Sequence, residues 1–147
     1  MLTRRKIEAQ IAGPLIRAFI EKYGADEALP VVRQAVKHLA LQGGALRAAQ
    51  AGGNSLADFA KSQSLMAKGD ALRVEVLTLS ETKYHYHIVR CRYAELYAEL
   101  GMGELGYLLS CGRDFDMIRG FNPRMKLTRT KTIMQGDDHC DFRITLK

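Results

Sequence analysis

Most of the groups in this 147-residue chain that could do chemistry on a small polar molecule fall in its last third: Cys111-Gly112-Arg113-Asp114, Arg129-Thr130 and Gly136-Asp137-Asp138-His139-Cys140-Asp141. Two thiols, an acid three positions after the first, a histidine beside the second and an arginine between them are parts of a thiol or general acid/base site. On a helix, Asp114 would follow Cys111 by about 60° at one turn's rise, so both can point into one cavity. A carboxylate there could deprotonate a water, and a thiolate could attack an electrophilic carbon. Asp114 alone would raise the Cys111 pKa, so nucleophilic use requires a cation such as Arg129 or a histidine. The competing reading is burial of Cys111 as a small hydrophobe.

Arg129 sits in the alternating run Leu127 to Thr132, where its guanidinium fork matches a carboxylate. Around Cys140, alternation turns His139 and Asp141 to the opposite side of a strand from the thiol. Metal chemistry has donors in His85, His87, Cys91, Cys111, His139 and Cys140, yet the chain has no Cys-x-x-Cys pair and no His-x-x-x-His. The sequence therefore predicts no metal and no cofactor, with His85 and His87 a solvated or tyrosine-packed pair. Gly101, Gly103 and Gly106 follow a helical stretch rather than a strand and make no nucleotide-binding loop.

The first half must supply helices to position these groups. From Thr3, Ile7, Ile11, Leu15, Phe19 and Tyr23 recur every fourth residue up to Gly24, with Gly13-Pro14 a candidate kink. Asp26 opens a second helix, whose face carries Val32, Val36, Leu39 and Ala40 and which Gly43-Gly44 should close. A third starts near Asn54-Ser55 and stops at Gly69. The period then changes. Leu72 to Leu79 and Tyr84 to Cys91 alternate across a short polar turn and predict a β-hairpin, with His85, His87, Val89 and Cys91 on one face. Helical stretches follow at Arg92 to Leu100 and from Gly103 towards Ile118, then strands at Lys126 to Met134 and Cys140 to Leu146. The expected fold is α+β, with N-terminal helices packed on an antiparallel sheet of about four strands. It is read as a single domain with a helical half, 1–70, and a sheet and pocket half, 71–147.

Size and composition agree. The chain can bury a core without staples, and 47% hydrophobic with 26% charged residues is ordinary for a globular domain. No run reaches the roughly 18 apolar residues of a membrane span, and the basic start does not read as a signal peptide. Three cysteines without an export signal read as reduced thiols in a cytoplasm. The net charge of +6 is scattered and interleaved with acids, which argues against nucleic acid and favours an anionic metabolite. Self-association through the N-terminal helix is compatible with its apolar stripe.

Cys91-Arg92-Tyr93-Ala94-Glu95, Glu99-Leu100-Gly101, Glu104-Leu105-Gly106, Cys111-Gly112-Arg113-Asp114, Asn122-Pro123, Arg129-Thr130 and the run Gly136 to Arg143 together resemble the L-2-amino-thiazoline-4-carboxylic acid hydrolase family. The likeness covers Cys91 to Leu146 well. It implies hydrolytic opening of a small heterocycle, with 2-amino-thiazoline-4-carboxylate giving N-carbamoyl-cysteine. It implies Cys111, Asp114 and Cys140 as catalytic pocket residues, with Cys91, Asn122, Arg129, His139 and Asp141 around the substrate and Arg129 on its carboxylate. The closing strand also resembles small-molecule-binding domains of the four-vinyl-reductase type, which leaves a non-catalytic binding or sensor domain as the alternative.

Overall fold

The computed structural model describes residues 2–67 and 69–147. Helix α1 (Leu2–Tyr23) is continuous across Gly13-Pro14, and α2 (Ala25–Ala51) follows after Gly24. Ser55 caps α3 (Leu56–Met66) by accepting from the Asp58 N–H, while the Asp58 carboxylate accepts from the Ser55 N–H. The hairpin β1 (Leu72–Leu79) and β2 (Lys83–Cys91) leads into α4 (Arg92–Glu99), a short α5 (Gly103–Gly106), a π-helical turn over Tyr107–Cys111, and α6 (Asp114–Phe121). The chain ends with β3 (Met125–Thr128), a 3₁₀ turn at Ile133–Gln135 and β4 (Cys140–Leu146). The sheet is antiparallel throughout, in the order β1-β2-β4-β3. The chain is one compact α+β domain, as its periodicity predicts.

One sheet face carries the core. Tyr84, Tyr86 and Ile88 of β2, Phe142 and Ile144 of β4 and Leu127 of β3 pack against Leu56 and Phe59 of α3 and Ile118 and Phe121 of α6. Phe59 meets Phe121 edge to face at 5.1 Å, and Tyr86 stacks on Phe142 at 4.8 Å.

Two expectations are corrected by tertiary contacts. Gly43-Gly44 does not end the second helix, which runs on to Ala51. Here α2 and α6 touch backbone to backbone: a Cβ on Gly44 would strike the Met117 carbonyl and the Phe121 N–H, and one on Gly120 would strike Leu41. The glycines permit a close crossing instead of a stop. The strand expected over Lys126 to Met134 ends at Thr128, because side chains take over its hydrogen bonds. Asp141 Oδ1 accepts from the Thr130 and Lys131 N–H groups, and Asp137 accepts from Thr132 N–H. The stripe Ile7, Ile11, Leu15, Phe19, Tyr23 lies 52–61% exposed, and the face of α1 that packs inward is Ala9, Gly13 and Ile16. Small residues there let α1 approach Tyr97 and Met102 closely.

Candidate functional site

A cavity of about 420 Å³ opens between the sheet's core face, the α2–α3 pair and the segment running from the π turn into α6. Cys91, Cys111, Asp114, Arg129 and Cys140 all line it. Each arrives by a different local device.

Cys91 is placed by a β-bulge. Val74 pairs with Ile88 while Arg73 pairs with Arg90, so Val89 has no partner and the alternation of β2 shifts by one. Strict alternation groups Cys91 with His85 and His87; the bulge instead turns it onto the cavity wall. Cys111 ends the π turn. Its carbonyl accepts from Arg129 Nη2 at 3.0 Å, while Arg129 Nη1 lies 2.7 Å from Asp114 Oδ2, at the first residue of α6. The Arg129 side chain is 2% exposed. It is packed among the rings of Tyr107, Phe115 and Phe142, with centroids 5.0–5.8 Å away. Cys140 opens β4 opposite Ile88, and its sulfur accepts from Ile133 N–H at 3.3 Å.

Three of the residues implied by the resemblance lie elsewhere. His139 and Asp141 are on the opposite sheet face, as alternation from Cys140 requires. His139 packs on His87 at 4.2 Å and meets Asp138 at 2.6 Å, and Asp141 pins the Thr130-Lys131 turn. Asn122 ties α6 to the α2–α3 loop: its Nδ2 donates to Asn54 O and its Oδ1 accepts from Arg124 N–H. Among the described residues, no group of three His, Cys, Asp or Glu side chains converges as a set of metal ligands.

Burial dominates the electrostatics. It raises the Asp114 carboxyl above its ordinary range, opposed chiefly by the Arg129 guanidinium, and the 26% of that side chain left open faces the cavity it lines. Burial, followed by the Asp114 charge, pushes the Cys111 thiol far up. Burial also raises Cys140 to about 11, with the Ile133 N–H opposing, and raises Cys91 against the N–H groups of Ala94 and Tyr93. All three thiols are therefore neutral near pH 7. The carboxylate is the basic group of the site, and a desolvated carboxylate is a stronger base than one in water.

Part of the remaining polar lining, which also includes Arg5, Gln50, Ser110 and Arg113, comes from residues that the clustering of cysteines does not reveal. Arg47 of α2, Ser62 and Gln63 of α3 and Tyr86 of β2 face Asp114 across the site. The one sequence signal for Arg47 is its position as a lone cation in the apolar and small-residue run Gly43 to Ala49.

A second cavity, of about 770 Å³, lies between α1–α2 and the α5–π segment and has no cysteine in its lining. No helix among the described residues is long and apolar enough to cross a membrane.

No curated protein sequence matches the chain. Among solved structures, the fold resembles the phenol-responsive sensory domain of the transcription activator PoxR with phenol. That match has a TM-score of 0.57 at 11% identity and covers 92% of this chain and 73% of that one. It also resembles trafficking protein particle complex subunit 3 from Naegleria fowleri, covalently bound to palmitic acid. There the TM-score is 0.57 at 16% identity, over 100% of this chain and 97% of that one. At these identities the likeness is one of fold. The family profile described as L-2-amino-thiazoline-4-carboxylic acid hydrolase matches residues 4–144, nearly the whole chain and well beyond the Cys91 to Leu146 motifs, and the chain belongs to that family.

Proposed function

We propose that this chain is a hydrolase that opens a small heterocyclic ring, using water activated at Asp114, with 2-amino-thiazoline-4-carboxylate as the reference substrate. The observation that carries the reading is the Asp114–Arg129 pair on the wall of a ligand-sized cavity, in a chain of that hydrolase family. Arg129 engages Oδ2, and Oδ1 is the oxygen left to take a proton. The water oxygen bonds to the amidine carbon of the ring as the C=N pair moves onto nitrogen; that nitrogen takes one water proton and the other passes to Asp114. The carbon–sulfur bond then breaks, and the sulfur leaves as a thiol by taking that proton back. Substrate plus one water gives N-carbamoyl-cysteine, with no redox change.

Neutral thiols favour this route over covalent attack by Cys111. Cys111, Cys140 and Cys91 then shape and dry the cavity, and Arg129 holds the base rather than the substrate carboxylate. The helical half, 1–70, supplies one wall and the half 71–147 the reacting groups. A positively charged chain suits an anionic substrate, and three free cysteines suit a reducing cytoplasm.

The second reading is a binding or sensor domain without turnover, favoured by the fold shared with a phenol-responsive sensory domain. Mass spectrometry of the protein with cyclic amidines, lactams and thiazolines, beside Asp114→Asn, separates the two. A product heavier by one water that requires Asp114 supports the hydrolase. Ligands retained unchanged support the sensor.

A further inference from the structure

Arg47 and Gln63 line the α2–α3 wall of the cavity, and each holds one buried polar atom without a hydrogen-bond partner, Arg47 Nη2 and Gln63 Oε1. The rest of each side chain is anchored. Arg47 donates from Nε to Ser62 Oγ at 2.8 Å, directs Nη1 at Met117 Sδ at 3.6 Å, and lies 4.6 Å over the Phe59 ring. Ser62 Oγ donates its own proton to the Phe59 carbonyl at 2.7 Å, which fixes it as an acceptor for Arg47. Gln63 is 7% exposed, and its amide meets the Tyr86 hydroxyl.

A buried donor or acceptor left unpaired carries an uncompensated desolvation penalty, so this wall is incomplete by one acceptor and one donor. A ligand that supplies both meets side chains already immobilised and loses little rotamer entropy on binding. Arg129 is not available for the role, because Nη1 is committed to Asp114 and Nη2 to the Cys111 carbonyl.

We propose that Arg47 and Gln63 form the recognition subsite for a small carboxylate bearing an adjacent N–H. Arg47 Nη2 takes the carboxylate, and Gln63 Oε1 accepts from the neighbouring nitrogen. The orientation of the ring towards Asp114 rests on the hydrolase reading; the subsite itself does not. The subsite selects anionic five-membered rings that resemble a cyclised amino acid, and it rejects the same rings once the acid is esterified.

The test is calorimetric titration of the full chain and of Asp114→Asn with L-2-amino-thiazoline-4-carboxylate, L-pyroglutamate and the methyl ester of each. At least one acid is expected to bind about tenfold or more tightly than its ester. Arg47→Gln removes that preference and Arg47→Lys keeps part of it. Gln63→Leu weakens acid and ester alike, since both keep the N–H. Thermal melts check each fold, and Arg47→Lys decides the matter if Arg47→Gln does not fold. Equal affinity for acid and ester, no binding of either acid, or a preference that survives Arg47→Gln overturns the subsite. Arg47-dependent acid binding without turnover removes the hydrolase reading and leaves the subsite standing. Turnover that ignores Arg47 does the reverse.

Discussion

Arg129 Nη1 sits 2.7 Å from Asp114 Oδ2, and the two side chains, 15 residues apart in the chain, meet on one cavity wall. The guanidinium opposes the burial that raises the Asp114 carboxyl above its ordinary range. Asp114→Asn is expected to lower turnover by about a hundredfold or more at a stability cost of about 1–3 kcal/mol, read by steady-state kinetics and urea unfolding. Arg129→Met leaves the carboxyl buried without its cation, so its raised pKa rises further. That stability is present at low pH and is lost as pH rises through the folded-state pKa. Unfolding curves of Arg129→Met from acid to neutral pH should show a loss of about 3 kcal/mol, and a flat profile would contradict the pairing.

The thiols should be slow. With Cys140 held at about 11 and Cys91 and Cys111 also raised by burial, alkylation by iodoacetamide near pH 7 is expected to be about tenfold or more slower than that of a free thiol. The rate should still be climbing beyond pH 9. A plateau near neutrality would return a covalent cysteine mechanism to consideration.

Asp141 acts on stability from outside the cavity. Burial works against its charge, but the Thr130 hydroxyl and the Lys131 and Thr130 N–H groups hold it down to about 2. Its contribution is complete above the ordinary carboxylate pKa of about 4 and disappears as pH falls towards 2. Asp141→Ala should cost about 2 kcal/mol in urea unfolding at neutral pH and abolish that acid-side decline. Because the same turn carries Arg129, turnover should fall with it.

Gly44 and Gly120 set the α2–α6 crossing that fixes Asp114 over the cavity. Gly44→Ala or Gly120→Ala should each destabilise by about 3 kcal/mol, since the new methyl meets backbone atoms that cannot swing aside. Gly43→Ala is the control: its nearest neighbour is the end of the Arg113 side chain at 3.9 Å.

The exposed stripe on α1 forms a single i, i+4 ridge from Ile7 to Tyr23. Such a ridge interdigitates with an identical ridge of a second copy, so self-association is the expected outcome. Light scattering should give the mass of two chains for the wild type and of one chain for Ile11→Glu combined with Phe19→Glu. A wild type at the mass of one chain would end this reading.

What the sequence determined by itself were features with a local cause. Alternation marks β1 and β4 at their observed bounds, the third helix starts near Asn54-Ser55 as read, and the parity of His139-Cys140-Asp141 correctly divides that trio between two sheet faces. Tertiary structure decided whatever depends on partners distant in the chain. The Val89 bulge that carries Cys91 into the cavity is a property of the β1–β2 register. The passage of α2 through Gly43-Gly44 is set by a helix beginning at Asp114, and the buried face of α1 by the neighbours of Ala9 and Gly13 rather than by its largest residues. Arg47 and Gln63 are sixteen positions apart on separate helices and far from every cysteine in sequence. Unsatisfied buried hydrogen-bonding capacity, which marks both of them, exists only once the chain has closed around them.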